Sequence, residues 1–275
     1  MPTLRDFVRA MRPSNWYKAT IVLAGPVFSG RIFELNWLVL MFAFLSFSFV
    51  ASANYVLNDL KDRENDLHHP KKKNRPIASG KISGKQASWF FIFLLIVGLV
   101  FGWMANFIVL QLVGIYFIVN LAYTHYLKRL SIIDAFTIAV GYLLRALAGC
   151  YAVGIVVTNW FYLAIFSLAV YLAFCKRLAE IKVSGVKHKA SLEEYEDIIE
   201  IAIGISGSIS LTLFAIYVAN VGGHMVWSFP LAMMGLLIHL RESVKGYEVH
   251  ESLRKPELIL TLIAFMAVIL VGLYA

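Results

Sequence analysis

Long apolar runs recur along the chain and are separated by short polar stretches. A bilayer core about 30 Å thick is crossed by a helix of roughly 20 apolar residues, and helices satisfy their own backbone groups in lipid. We therefore expect an all-α polytopic membrane protein of about nine transmembrane helices bundled around a central cytoplasm-facing cavity. The runs lie near residues 19–33, 37–57, 86–103, 107–124, 131–151, 159–175, 198–220, 226–240 and 257–274. The first run is short and contains Gly25 and Pro26, which predicts a tilted or partly re-entrant helix.

Composition argues against a large water-soluble core. Of the 275 residues, 60% are apolar and only 15% are charged, with a mean hydropathy of +0.73. We interpret residues 1–275 as a single integral membrane domain with two long cytoplasmic loops, at about 58–85 and 176–197. Cys150 and Cys175 both lie in apolar runs without metal-ligand spacing, so we expect buried, unpaired thiols.

The distribution of lysine and arginine predicts the orientation. With nine spans, 23 of the 25 Lys and Arg residues fall on one side; Arg31 lies opposite and Arg145 lies within a span. Cytoplasmic loops carry such an excess of Lys and Arg. The N-terminus and the side with 23 positive residues are therefore expected at the cytoplasmic face of the cell inner (plasma) membrane, and so is the active site. Contact with anionic lipid alone would explain cations, but it would not explain the carboxylates beside them.

The first polar segment with candidate chemistry is NDLKDRENDLHHPKKKNRP, at residues 58–76. If the preceding helix continues, Asn58, Asp62 and Asp66 lie on one face, with Asp59 beside it. Mg²⁺ prefers oxygen ligands and commonly binds one or two carboxylates together with substrate phosphates. Basic residues such as Arg75 follow at once, which suits a metal-bound diphosphate. The alternative is a solvated helix end with mutual salt bridges; charge at a bilayer boundary favours the functional interpretation.

Two later segments carry isolated charges within or beside apolar runs. In YTHYLKRLSIIDAFTIAVGYLLRALAG, Asp134 begins a helix and Arg145 lies about three turns deeper. Asp134 is a candidate metal ligand or an acid favoured by the helix dipole, and Arg145 is an anion ligand or a structural pair. In CKRLAEIK, Lys176 and Arg177 are phosphate ligands or snorkelling anchors. The candidate substrate-binding residues are Lys18, Arg75, Tyr123, Lys128, Arg129, Arg145, Lys176 and Arg177.

With these residues in view, the chain resembles the UbiA-type superfamily of membrane prenyltransferases over nearly its whole length. NDLKDREND matches the family pattern NDxxDxxxD, and RPSNWYK and NRPIASGKIS fit the neighbouring context. The family's second motif, DxxxD, is incomplete because Ile138 follows Asp134 at the fourth position. Together with YLLRALAG and HESLRKPELILT, this departure resembles the branch of polyprenyl-phosphate phosphoribosyltransferases.

That resemblance implies transfer of a 5-phosphoribosyl group from phosphoribosyl diphosphate (PRPP) to a long-chain polyprenyl phosphate. Asp59, Asp62, Asp66 and Asp134 would be catalytic, and Asn58, Asp59, Asp62 and Asp66 would hold Mg²⁺. More phosphate groups among the substrates would favour more cations and fewer carboxylates, as seen here. The bilayer and these two substrates are the expected partners, nucleic acid is not, and the oligomeric state stays open.

Two alternative functions share some of these features. A conventional prenyltransferase would move a prenyl group from its diphosphate to an aromatic or other acceptor; the incomplete second motif counts against it. An anion transporter would be expected to show inverted repeats and broken helices with midplane charge. The acidic motif is not repeated, and Arg145 is the clear deep charge.

Overall fold

The fold was obtained as a computed structural model that describes residues 2–68, 72–184, 194–195 and 197–274. Within these residues the regular structure is helical, as the sequence predicts. Parts of both predicted polar loops, residues 69–71, 185–193 and 196, lie outside the described residues. The α-helices are α1 (Leu4–Met11), α2 (Ala24–Phe28), α3 (Trp37–Lys61), α4 (Arg63–Leu67), α5 (Gly84–Ala105), α6 (Phe107–His125), α7 (Ile133–Ala152), α8 (Asn159–Ser184), α9 (Ile199–Val221), α10 (Ser228–Val244), α11 (Val249–Ser252) and α12 (Pro256–Tyr274).

Eight helical segments in the described part of the chain are long and apolar enough to cross a membrane. They correspond to the predicted runs from the second to the ninth, with α10 extended at its start by a 3₁₀ turn, Gly223–Trp227. Many large apolar side chains on them are exposed, including Trp89, Ile118 and Leu260. Such surfaces are expected to face lipid, so the chain is a multi-pass membrane protein.

The first predicted run is not a single spanning helix, and the predicted count of nine is not confirmed. Pro13–Leu23 forms an unusually long 3₁₀ helix, which is followed by the five-residue α2 and a short 3₁₀ turn at Ile32–Glu34. A proline at the start and the Gly25–Pro26 pair within α2 disfavour a continuous α-helical ladder here. The segment lies against α7, where a Cβ on Gly149 would come within 1.7 Å of the Val22 carbonyl oxygen.

The chain divides into two compact units, residues 1–124 with 144–156, and residues 125–143 with 157–275. In the first unit, α3 packs along α5 through small residues. Ser46 Oγ donates to the Gly98 carbonyl at 2.7 Å, and a Cβ on Gly98 would lie 2.6 Å from the Val50 side chain. Such close helix approach through small residues is the usual way that helices associate in lipid.

The second unit has its own buried core, formed mainly by α8 and α9. Tyr171, Phe174, Cys175, Tyr195 and Ile203 are among its buried members. The Tyr171 hydroxyl donates to the Leu236 carbonyl at 2.6 Å, which ties α8 to α10. The prediction that Cys150 and Cys175 are buried free thiols is confirmed.

Candidate functional site

The acidic motif lies where α3 ends. α3 stops at Lys61, Asp62 leaves helical geometry with ψ of 10°, and α4 begins one residue later. The Asp62 N–H nevertheless donates to the Asn58 carbonyl at 2.9 Å, and the Asp66 N–H donates to the Asp62 carbonyl at 2.8 Å. The break is therefore small, and the predicted four-residue register of Asn58, Asp62 and Asp66 is retained. Asn58 and Asp62 are half-buried, whereas Asp66 is buried.

Asp59 and Asp66 form a buried acid–arginine cluster, which we call the Asp59 cluster. Arg75 Nη1 donates to Asp59 Oδ1 at 3.0 Å and to Asp66 Oδ2 at 2.7 Å. Arg12 Nη2 donates to the same Asp59 oxygen, and its guanidinium lies 5.0 Å from the centre of the Tyr55 ring. Two carboxylates are thus balanced by two guanidinium groups drawn from segments far apart in the sequence.

Whether Mg²⁺ fits this motif depends on which oxygen atoms remain for it. No group of three or more His, Cys, Asp or Glu side chains placed for a metal ion occurs within the described part of the chain. A Mg²⁺ ion that takes one or two carboxylates, waters and substrate phosphates does not need such a cage. Asn58 and Asp62, one turn apart, supply oxygen atoms of the hard type that Mg²⁺ prefers. Arg75 binds Asp59 Oδ1 and Asp66 Oδ2, so a metal ion would reach those two oxygens only if Arg75 left them.

The second unit contains another buried acid, Asp134, near the start of α7. Its carboxylate is fully buried and pairs with Arg177 Nε at 2.7 Å. The Tyr195 hydroxyl donates to Asp134 Oδ1 and accepts from the Ile132 N–H at 2.7 Å. Burial, together with the hydrogen bond to Asp134, raises the pKa of Tyr195 well above its ordinary value, so the hydroxyl stays protonated as a donor. Arg177 also binds Glu180.

This arrangement bears on two predicted roles. Arg177 was predicted as a phosphate ligand, but its side chain is 2% exposed and is held between two carboxylates. Asp134 was predicted as a metal ligand, but its oxygens are bound by a guanidinium and a phenol. The roles in catalysis and binding stay predictions, and the observed contacts describe a structural ion pair. Lys176, one residue before Arg177, is half-buried, and its Nζ lies 3.7 Å from Glu180 Oε1, four residues later.

Arg145 is buried deep in the apolar part of α7. Its Nη2 donates to the Tyr116 hydroxyl at 2.6 Å, and its guanidinium lies 4.4 Å from the centre of the Tyr116 ring and 5.8 Å from that of Phe47. The predicted need for compensation at that depth is thus met in part by aromatic faces and a hydroxyl. An anion-binding role for Arg145 stays a prediction.

The remaining predicted residues lie in 3₁₀ segments or near the end of a helix. Lys18 is half-buried in the long 3₁₀ helix with its Nζ 5.8 Å from the Tyr17 ring centre, and Tyr123 is half-buried near the end of α6. Lys128 and Arg129 lie in a short 3₁₀ turn, Leu127–Arg129, where Lys128 is half-buried and Arg129 is exposed. Their predicted role in substrate binding is not tested by this placement.

Comparison with protein families identifies the family to which this sequence belongs. The UbiA prenyltransferase family matches residues 19–269, which includes the acidic motif and the eight long helices apart from the end of the last one. The chain belongs to the UbiA prenyltransferase family. Residues 2–18, including Arg12, lie before the matched range.

Curated relatives of this UbiA-family chain are about one third identical to it over the 196 residues that match. It is 36% identical over 196 residues to a decaprenyl-phosphate phosphoribosyltransferase from Corynebacterium glutamicum, covering 68% of this chain and 59% of the relative. A protein of the same name from Mycolicibacterium smegmatis is 33% identical, covering 68% of this chain and 62% of the relative. The chain thus spans less than two thirds of the length of these relatives.

Solved structures confirm the UbiA fold. A UbiA homolog from Archaeoglobus fulgidus bound to GPP and Mg²⁺ superposes with a TM-score of 0.73 at 20% identity, covering 98% of this chain and 99% of that one. The same homolog has been solved bound to Cd²⁺, with a TM-score of 0.70 at 19% identity. At this identity the likeness establishes the fold.

Sequence reasoning missed three residues that the structure brings into these clusters. Arg12 was counted only as an orienting charge, although it binds Asp59 from 47 positions away. Tyr195 and Tyr116 were not singled out, because a tyrosine in an apolar sequence gives no sign of a distant partner. Asp59, Asp62 and Asp66 were recognisable because the UbiA motif is local, and local spacing survives folding.

Proposed function

We propose that this protein transfers a 5-phosphoribosyl group from PRPP to a long-chain polyprenyl phosphate in an Mg²⁺-dependent reaction. The ribose C1–O bond to diphosphate breaks, and a phosphate oxygen of the lipid bonds to C1. Diphosphate leaves, and the acceptor needs no general base because its phosphate is already ionised. Relatives named decaprenyl-phosphate phosphoribosyltransferase, at 32 to 36% identity, support this donor and acceptor.

The observation that carries the proposal is the balance of charges at the two acidic positions. In the Asp59 cluster the carboxylates are more deeply buried than the arginines that bind them. Asp134 is buried together with Arg177, with 2.7 Å between Oδ2 and Nε. A conventional prenyltransferase is expected to use a second set of carboxylates for its metal-bound diphosphate. Substrates that bring a diphosphate, a 5-phosphate and a lipid phosphate call instead for cations.

Asn58 and Asp62 would hold Mg²⁺, which would neutralise charge on the departing diphosphate. The candidate phosphate ligands are cations that are at least partly exposed: Arg75, Lys18, Lys128, Arg129 and Lys176. Tyr123, five residues before Lys128, is a further candidate for substrate binding. We place this chemistry at the cytoplasmic face of the plasma membrane, because the Lys and Arg residues concentrate in the segments that the sequence assigns to that side.

The test is a purified-protein assay with labelled PRPP, a polyprenyl phosphate and Mg²⁺, with and without EDTA. We expect a lipid-extractable phosphoribosyl product that EDTA abolishes. Asp62→Asn should abolish the product, whereas Glu64→Gln, an exposed acid two residues away, should leave turnover near wild type. Turnover by Asp62→Asn at the wild-type rate would contradict the assignment.

The assay also separates the alternatives. Consumption of a prenyl diphosphate with an aromatic acceptor, and none of PRPP, would keep the family but refute the proposed donor. Uptake of an anion into sealed vesicles without chemical conversion would favour a transporter.

A further inference from the structure

Asp59 differs from the other acids of the motif in what its carboxylate contacts. One oxygen, Oδ1, accepts hydrogen bonds from both Arg12 and Arg75. Arg12 ends the N-terminal helix α1 and Arg75 follows the short 3₁₀ turn Lys72–Asn74, so Asp59 joins three separate segments at one atom. Removing this buried carboxylate would release Arg12 and leave Arg75 held by Asp66 alone.

The two arginines, and not the acid, form the accessible side of this cluster. The side chains of Arg12 and Arg75 are 25% and 29% exposed, whereas those of Asp59 and Asp66 are 3% and 5% exposed. A solute approaching from solvent therefore meets guanidinium groups first. A metal ion could reach Asp59 Oδ1 only by displacing two cations from it.

Both guanidinium groups keep hydrogen-bonding capacity. Each carries five N–H donors. Among the described residues, Arg12 binds protein acceptors through Nη2 and Arg75 through Nη1, which leaves Nε and the second Nη of each without a protein acceptor. Two forked donors held side by side match the geometry of phosphate oxygens, which guanidinium binds in bidentate fashion.

We infer that Asp59 is a positioning residue that holds Arg12 and Arg75 together as a receptor for the diphosphate group, and that it is not a metal ligand. The inference rests on the proposed function to the extent that the substrate carries a diphosphate. It divides the motif into Asn58 and Asp62, which would hold the metal, and Asp59, which would act through arginines. It also gives Arg12 a role that its position outside the matched family range does not suggest.

The test measures metal and anion binding separately on the purified protein. Mn²⁺ affinity is measured by electron paramagnetic resonance without substrate, and affinity for inorganic diphosphate by calorimetry without metal. For Asp59→Asn we expect Mn²⁺ affinity within about twofold of wild type and diphosphate affinity at least about tenfold weaker, equivalent to about 1.4 kcal/mol. Asp62→Asn should show the reverse, and Glu64→Gln should change neither. A loss of Mn²⁺ affinity in Asp59→Asn equal to that in Asp62→Asn would overturn the inference.

Two further variants cover the case in which Asp59→Asn fails to fold. Arg12→Gln and Arg75→Gln leave the carboxylate in place, and each should weaken diphosphate binding while retaining Mn²⁺ affinity. Unchanged diphosphate affinity in both would overturn the inference. Because inorganic diphosphate is released from PRPP and from prenyl diphosphates alike, these measurements stand even if PRPP proves not to be the donor.

Discussion

Replacement of Asp134 by asparagine tests whether its ion pair with Arg177 stabilises the second unit. The two side chains are 0% and 2% exposed and meet at 2.7 Å. Asparagine keeps the shape but removes the negative charge, so Arg177 loses one of its two acidic partners while Glu180 remains. Breaking a buried pair costs about 3 to 5 kcal/mol. The retained contact with Glu180, which is partly exposed, places the expected loss at the lower end, about 3 kcal/mol.

The assay is thermal unfolding of the detergent-purified protein, followed by size-exclusion chromatography of the heated samples. With about 2 to 4 °C per kcal/mol, Asp134→Asn should lower Tm by roughly 6 to 12 °C. The matched control is Asp197→Asn, an exposed acid in the same unit, which should stay within about 0.5 kcal/mol of wild type. The double variant Asp134→Leu with Arg177→Met removes both charges and should recover much of the loss.

A Tm for Asp134→Asn that matches Asp197→Asn would refute this reasoning, because a buried guanidinium would then tolerate the loss of its partner. The measurement also separates stability from chemistry. If Asp134→Asn stays folded at the assay temperature yet forms no product, the predicted catalytic role of Asp134 gains support. If it turns over normally while folded, Asp134 is structural.

Three further changes have defined outcomes. Gly149→Ala should destabilise the first unit severely and lower Tm and yield, because its Cβ would lie 1.7 Å from a carbonyl oxygen, whereas Gly114→Ala, with no atom within 4 Å, should be tolerated. Tyr116→Phe removes a buried hydrogen bond from Arg145 and should cost about 1 to 3 kcal/mol in thermal unfolding. Hydrogen bonds from the backbone and side chain of the N-cap residue lower the pKa of Asp6 below its ordinary value of 3.8. Its stabilisation of α1 should therefore be present above that pH and be lost as the pH falls below it, which hydrogen exchange of α1 would detect.

The eight long helices could be predicted because the sequence of each is predominantly apolar over a spanning length, although α7 also contains Arg145. The prediction of a spanning helix over the first apolar run was not confirmed. Gly25 and Pro26 break the helical hydrogen-bond ladder there, and local composition does not say whether such a break bends a helix or ends it. The end of α3 was predicted only conditionally. Its weak break at Asp62 depends on a single backbone dihedral, which no hydrophobic pattern encodes.

The candidate site was predictable only as far as local spacing reaches. The acidic motif was found because its members are neighbours in sequence. Arg75 was found for the same reason, but Arg12 was not, since it lies 47 positions from Asp59 and approaches it through the packing of α1 and the long 3₁₀ helix on α3. The same limit applies to Arg177, whose sequence context gives an exposed phosphate ligand and an interior ion pair equally good support.

The exposed member of a buried charge pair determines which solute the pair can attract. In the Asp59 cluster the acids are covered and the arginines remain 25% and 29% exposed, so the cluster attracts anions although its formal charges balance. In the Asp134–Arg177 pair both partners are buried, so no charge is left for a solute. A solute can form hydrogen bonds only with a group that it can reach, and a difference in exposure therefore outweighs a similarity in composition. A sequence scan that scores the two aspartates alike therefore does not distinguish a cluster with exposed arginines from a fully buried ion pair. Variants measured for both stability and anion affinity would distinguish them.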